Sequence, residues 1–244
     1  MQKLLRVEEL ALKLGEVTIL KGVSFQVAQG ATVGIIGPNG CGKTTLFNCL
    51  NGFHRSAPGT IFFRGADISA SSPYLRARSG LGRVFQNSGV FRSLTLYENL
   101  LVALEARDRV LFWNRQKVQH NRLIAQYLSD FGLSDKAHDK ASSLSGGQLR
   151  LLEIARSVAV GAELLLLDEP TAGVSPKMKG DVERVLRKLV ELGKTVVVIE
   201  HDINFIQNIC QRILVMDQGR IVLDDSPVAI RSNPALQDIY FGGS

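Results

Sequence analysis

Residues 37–45 read Gly-Pro-Asn-Gly-Cys-Gly-Lys-Thr-Thr. Gly37, Gly42, Lys43 and Thr44 occupy the fixed places of G-x-x-x-x-G-K-[ST]. The apolar residues Val33, Ile35 and Ile36 lead into the stretch, and a helix-like run, 45–53, leaves it. A loop of this kind wraps a phosphate with backbone N–H groups at a helix N-terminus, where the dipole adds about half a positive charge. The candidate nucleotide-binding residues are therefore Gly37, Pro38, Asn39, Gly40, Cys41, Gly42, Lys43, Thr44 and Thr45. Lys43 can reach the β- and γ-phosphates of a nucleotide such as ATP, and the Thr44 hydroxyl can hold Mg²⁺.

The chain has 244 residues, of which 45% are hydrophobic. That is enough to bury a sizeable core. No apolar run reaches the ~20 residues of a membrane helix. Residues 1–10 carry Glu8 and Glu9 and no signal-peptide core, so a cytoplasmic location is expected. Cys41, Cys49 and Cys210 are widely spaced without C-x-x-C, which suggests neither a disulfide frame nor a zinc site. The net charge of +6 fits nucleic acid, an anionic membrane surface or a basic nucleotide enzyme equally well.

Alternation over residues 3–27 predicts two strands, 3–13 and 17–27, joined by a turn at Gly15-Glu16. A buried strand over 31–36 precedes the phosphate loop. Ala57-Pro58-Gly59 breaks the chain, and a short strand covers 60–64. These flanking strands read as a small antiparallel sheet. Residues 81–85 form another strand with Gln86 at its carboxyl end, a position that faces the ligand crevice in α/β sheets. From 95 to 143 the pattern becomes helical. Thr95 caps a helix over 96–106 with Glu98 at the capping-box position. A second helix, 115–131, places Val118, Ile124, Tyr127, Leu128 and Phe131 near one face. The basic residues Arg107, Arg109, Arg115, Lys117 and Arg122 read as a solvated face.

Leu144-Ser-Gly-Gly-Gln148 opens a further helix, to about 160. Ser145 is its N-cap and Gln148 closes a capping box. Leu149, Leu152, Ala155 and Ala159 form its apolar stripe, with Arg150 and Arg156 off it. Free N–H groups under the cap offer a second anion site, which makes Ser145, Gly146, Gly147 and Gln148 candidate phosphate-binding residues. The run 164–167 is a strand buried on both faces. Asp168 and Glu169 at its end are costly unless they meet a cation or do chemistry; Asp168 suits Mg²⁺ and Glu169 suits a base on water. Ser175-Pro176 starts a helix that Gly193 ends. A strand over 195–199 ends in Glu200-His201-Asp202, where His201 can donate to a phosphate. A hairpin joins 212–216 to 220–223, and short helices follow near 227–231 and 234–240.

GPNGCGKTT, Gln86, LSGGQ, LLLLDEP and the histidine after the 195–199 strand together resemble the nucleotide-binding subunits of ATP-binding cassette transporters. The segments GLGRVFQNSGVFRSLTLYENL, EHDINF and NPALQDIYFGG resemble the branched-chain amino acid and amide or urea cassettes. The resemblance covers essentially the whole chain. It implies an α/β fold, a phosphate-loop NTPase (RecA-like) core with a small antiparallel β subdomain and an inserted helical subdomain. One ATPase domain, 1–244, would divide into a core of 1–87 and 161–244 and a helical part of 88–160. It implies ATP hydrolysis with Mg²⁺ in a head-to-tail dimer, with itself or a similar subunit. Lys43, Gln86, Glu169 and His201 would be catalytic, Thr44, Gln86 and Asp168 would hold the metal, and Ser145, Gly146, Gly147 and Gln148 would serve the opposite subunit's ATP. Transmembrane permease subunits would contact residues 86–99, an apolar patch of Val90, Phe91, Leu94, Leu96 and Tyr97, with the chain peripheral on the inner face of the membrane. A solute-binding protein would take part indirectly if the system imports.

Two positions depart from the family pattern. Leu14 stands where an aromatic usually stacks on adenine, and Ser175 where an aspartate is usual. Rival readings fit less well. A chromosome-maintenance ATPase needs a long coiled-coil insertion, a ribosome-associated protein of this type carries two cassettes, and a signalling switch lacks LSGGQ. Nucleic acid is not an expected partner.

Overall fold

A computed structural model describes residues 2–84, 89–108 and 114–241. Ten strands and nine helices are described. The strands are β1 (Lys3–Leu14), β2 (Val17–Ala28), β3 (Thr32–Ile36), β4 (Ile61–Phe63), β5 (Ala66–Asp67), β6 (Leu81–Val84), β7 (Leu164–Asp168), β8 (Thr195–Ile199), β9 (Arg212–Asp217) and β10 (Arg220–Asp225). The helices are α1 (Lys43–Asn51), α2 (Pro73–Ser79), α3 (Leu96–Asp108), α4 (Asn114–Asp130), α5 (Gly146–Ala159), α6 (Pro176–Glu191), α7 (Ile203–Ile209), α8 (Pro227–Ser232) and α9 (Pro234–Phe241).

The strands form two sheets, one of four strands in the order β2-β1-β4-β5 and one of six in the order β10-β9-β3-β8-β7-β6. In the larger sheet β9, β3, β8, β7 and β6 run parallel, and only β10 is antiparallel. Strand alternation divides its side chains between two cores. Val33, Ile35, Leu164, Leu166, Val197 and Ile199 pack with Leu46, Phe47 and Leu50 of α1 and with the small sheet. Leu165, Leu167, Val196, Val198, Ile213 and Val215 pack against α3 to α8. Every residue of β3, β7 and β8 is buried, as a parallel sheet covered on both faces requires.

Apart from the two-residue β5, the strands and long helices follow the sequence reading, and several details correct it. Val118 is 57% exposed, and His120 is buried in its place, its Nε2 2.8 Å from Asp108 Oδ2. The Arg107 guanidinium and His120 hold the Asp108 carboxyl down to about 2. Arg107 is thus paired rather than merely solvated. Arg150, off the apolar stripe of α5, is nonetheless buried, with Nη1 3.2 Å from Glu153 Oε2. Short helices α2 and α7 were not expected. Each has an N-cap side chain, Ser72 accepting from Leu75 N and Asp202 accepting from Phe205 N.

Arg76 of α2 is 1% exposed and, among the described residues, its guanidinium donates to four carbonyls. Its partners are Cys49 O at 2.6 Å, Leu50 O at 2.7 Å, Ser69 O at 2.8 Å and Ser71 O at 3.0 Å. The guanidinium therefore caps the C-terminal end of α1, where the helix dipole favours a cation. Burial pushes its pKa down. Arg76→Met keeps the volume and leaves four carbonyls short of a donor. Bonds to charged groups contribute ~1.5–3 kcal/mol each and are not additive, so the expected loss is about 3 kcal/mol. That corresponds to roughly 6–12 °C in Tm for a chain of this size. A thermal melt of Arg76→Met that moves by less than two degrees would count against this capping role.

Candidate functional site

The candidate residues project from the carboxyl ends of adjacent parallel strands. The phosphate loop follows β3, Asp168 ends β7 with Glu169 next to it, and His201 stands just beyond β8, which lies between them. This is the end of an open α/β sheet at which ligands bind.

Gly37 is required by close approach, because a Cβ there would sit 2.1 Å from Met216 O. Gly42 ends the loop and stands as N-cap of α1. Lys43 is 6% exposed, and its ammonium lies 2.7 Å from Gly37 O and 2.9 Å from Pro38 O. The lysine thus braces the loop it would serve. Asn39, Gly40 and Thr44 are exposed at the loop mouth, and Thr45 is half-buried. Burial raises the pKa of the Cys41 thiol against the opposing pull of Lys43, so the sulfur is a packing group here.

Asp168 is 7% exposed, and its Oδ2 accepts from Arg83 Nη2 at 2.9 Å. Arg83 also donates from Nη1 to Asn48 Oδ1 of α1 at 2.6 Å. Sequence reasoning missed Arg83. Glu169 has φ +47°, a left-handed conformation that costs a non-glycine residue about 1–2 kcal/mol. Its N–H donates to Ile199 O at 2.9 Å, and its Oε1 lies 2.9 Å from His201 Nε2. The structure thus joins two residues 32 apart in sequence, and both side chains remain partly exposed. A carboxylate oriented by an imidazole beside a phosphate loop can take a proton from water.

The second anion site lies on α5. Ser145 Oγ accepts from Gln148 N at 3.3 Å, and Ser145 N donates to Gln148 Oε1 at 3.1 Å, completing the expected capping box. Ser145 and Gly146 are exposed. Gly147 has an additional reason to be glycine, since a Cβ would overlap Met178 Cγ at 1.9 Å. Among the described residues no hydrogen bond joins 145–148 to the phosphate loop, Asp168, Glu169 or His201. Ser175, the other departure, is the N-cap of α6 and accepts from Met178 N.

Gln86 lies outside the described residues. Of the expected apolar patch, only Phe91 is exposed, at 46%. Val90 and Leu96 belong instead to the core that also holds residues of α3 and α5. Arg156 of α5 stacks its guanidinium 4.5 Å from the Phe91 ring centre and donates to Gly89 O.

The family model described as ABC transporter matches residues 20–172. The chain belongs to the ABC transporter family. It is 36% identical over 249 residues to the high-affinity branched-chain amino acid transport ATP-binding protein BraF of Pseudomonas aeruginosa, with 98% of each chain covered. It is 36% identical over 251 residues to LivG of Salmonella typhimurium, covering 99% of this chain and 98% of LivG. Among solved structures, the ADP conformation of an ATP-binding cassette of an ABC transporter superposes with a TM-score of 0.85 at 30% identity, covering 99% of this chain and 100% of that one. A dimeric cassette in a post-hydrolysis state with ADP and Pi gives 0.77 at 27% identity, with 91% and 98% covered. As an ABC ATPase the chain has the α/β phosphate-loop NTPase fold and binds nucleotide. No described helix is long and apolar enough to cross a membrane.

Leu14 is 42% exposed and pairs with Val17 at the tip of the β1–β2 hairpin. A few residues on, Leu20 backs onto the phosphate loop, 3.1 Å from where a Cβ at Gly42 would stand. We propose that an adenine ring would rest on this side. Leucine offers dispersion but no ring face, and base stacking contributes ~1–3 kcal/mol per base. Leu14→Tyr is expected to tighten ATP binding about fivefold, the equivalent of about 1 kcal/mol. Turnover at saturating ATP stays the same, since stacking is equal in ground and transition states. Equilibrium titration with ATP and GTP checks this. Unchanged affinity means that Leu14 does not face the base.

Proposed function

We propose that this chain is the ATP-hydrolysing subunit of a transporter for branched-chain amino acids or related small polar solutes. The observation that carries this reading is end-to-end similarity to BraF and LivG, joined to the Glu169–His201 pair beside the phosphate loop. Relatives at similar identity include an arginine transport protein of Bacillus subtilis and a lipopolysaccharide export protein of Acidithiobacillus ferridurans. The solute is chosen by membrane subunits, so it is the finer part of the proposal.

In this reading Lys43 and the N–H groups of 39–43 hold the β- and γ-phosphates, Glu169 polarises water, and His201 steadies Glu169 and the γ-phosphate. Ser145, Gly146, Gly147 and Gln148 complete the site of a second ATPase subunit, identical or similar, which suits the exposure of Ser145 and Gly146 on a different element from the phosphate loop. The Thr44 hydroxyl and the Asp168 carboxylate are hard oxygen donors of the kind Mg²⁺ prefers. With Gln86 they would hold a Mg²⁺ that offsets phosphate charge. Residues 88–160 would form the helical subdomain between the core segments 1–87 and 161–244.

The permease would dock beside Phe91. Its expected contact with the 86–99 segment is a helix of the membrane subunit, which would put the chain on the cytoplasmic face. A solute-binding protein would act only indirectly.

Uptake of labelled leucine, isoleucine and valine by cells lacking this chain tests the proposal. Uptake should fall and return with the wild-type chain but not with Glu169→Gln. Normal branched-chain uptake alongside a defect for another solute would reassign the substrate and leave the ATPase reading intact.

A further inference from the structure

Glu200 stands between β8 and His201. It is 4% exposed, and among the described residues no cation lies within ion-pair distance of it. A buried carboxylate in that position is costly unless donors satisfy it. Three donors do. Glu200 Oε1 accepts from Thr171 N at 2.8 Å and from Thr171 Oγ1 at 2.6 Å, and Oε2 accepts from His201 N at 3.2 Å. Thr171 is itself 4% exposed.

The two oxygens therefore face two different segments. Thr171 belongs to the turn that leaves β7 two residues after Glu169, and His201 begins the segment that leaves β8. One rigid group ties the backbone beside Glu169 to the backbone of His201. The Glu169 backbone is held left-handed at φ +47° and bonded to Ile199 O, a conformation that persists only where its surroundings fix it. We propose that Glu200 is a positioning residue that sets the separation of Glu169 and His201. The proposal rests on the reading that those two act at the γ-phosphate.

A carboxylate is needed for a specific reason. Both oxygens receive N–H donors, so an amide in either orientation would turn one of its own N–H groups toward a donor.

The test compares full-length Glu200→Gln with wild type. A displacement of about 1 Å at a reacting group costs on the order of 10²-fold in rate, and a loss of that order in kcat is expected. KM for ATP should change less than twofold, because the phosphate loop is untouched. The His201 ring proton resonance, identified by its loss in His201→Asn, should shift as its carboxylate partner moves. Should Glu200→Gln fail to fold, Thr171→Val removes only the hydroxyl donor and should lower kcat about tenfold. Thr171→Ser should recover most of that loss. Turnover within twofold of wild type in either variant, an unmoved His201 resonance, or a KM that rises in step with the fall in kcat would overturn the proposal. Failure of the underlying reading looks different, since Glu169→Gln would then keep its turnover whatever the Glu200 variants do.

Discussion

Glu169→Gln is expected to bind ATP normally and to lose roughly 10²–10⁴-fold in turnover, the usual contribution of a positioned base. The amide has the shape of the carboxylate and can still meet His201 Nε2, 2.9 Å away in the wild type. The backbone at φ +47° and the Glu169 N–H bond to Ile199 O do not depend on the side-chain charge. Only the capacity to take a proton from water is removed. If closure of two subunits on ATP precedes hydrolysis, the variant accumulates as an ATP-bound dimer, visible by gel filtration with ATP and Mg²⁺. Normal hydrolysis, or a monomer under conditions where wild type dimerises, would remove Glu169 from the role of base.

Lys43→Ala is expected to abolish hydrolysis and to weaken ATP binding roughly 10- to 150-fold, the equivalent of ~1.5–3 kcal/mol for a lost charge-assisted bond. Adenosine affinity should stay as it is, because the ammonium lies at the phosphate end of the site. A second loss accompanies the first. The ammonium also braces Gly37 O and Pro38 O, and without it those carbonyls are left to water. Calorimetric titration with ATP, ADP and adenosine separates the effects, since affinity should fall in proportion to the phosphates presented. Wild-type turnover would withdraw the phosphate-loop assignment.

Much of this molecule was legible before any coordinates, and the legible parts share a cause. The phosphate loop, the Ser145 capping box, the first-turn proline of α6 and the apolar runs of β3, β7 and β8 each depend on residues within a few positions of one another. Local backbone preference and apolar periodicity settle such features. Helix α2 carried the same Ser-Pro signal as α6, at Ser72-Pro73, but was too short to show an apolar period. What the tertiary structure decided lies in pairs that no local pattern encodes. Arg83 grips Asp168 from 85 residues away, Arg76 caps a helix that ends 25 residues earlier, and Gly147 leaves room for Met178. Val90 and Leu96 read as a surface patch in the sequence, but in the fold both are buried in the core. The chemistry of the site was written in residue types at strand ends. The partners that hold those residues came only from the packing of distant segments, because a buried charge takes its partner from whatever the fold brings beside it.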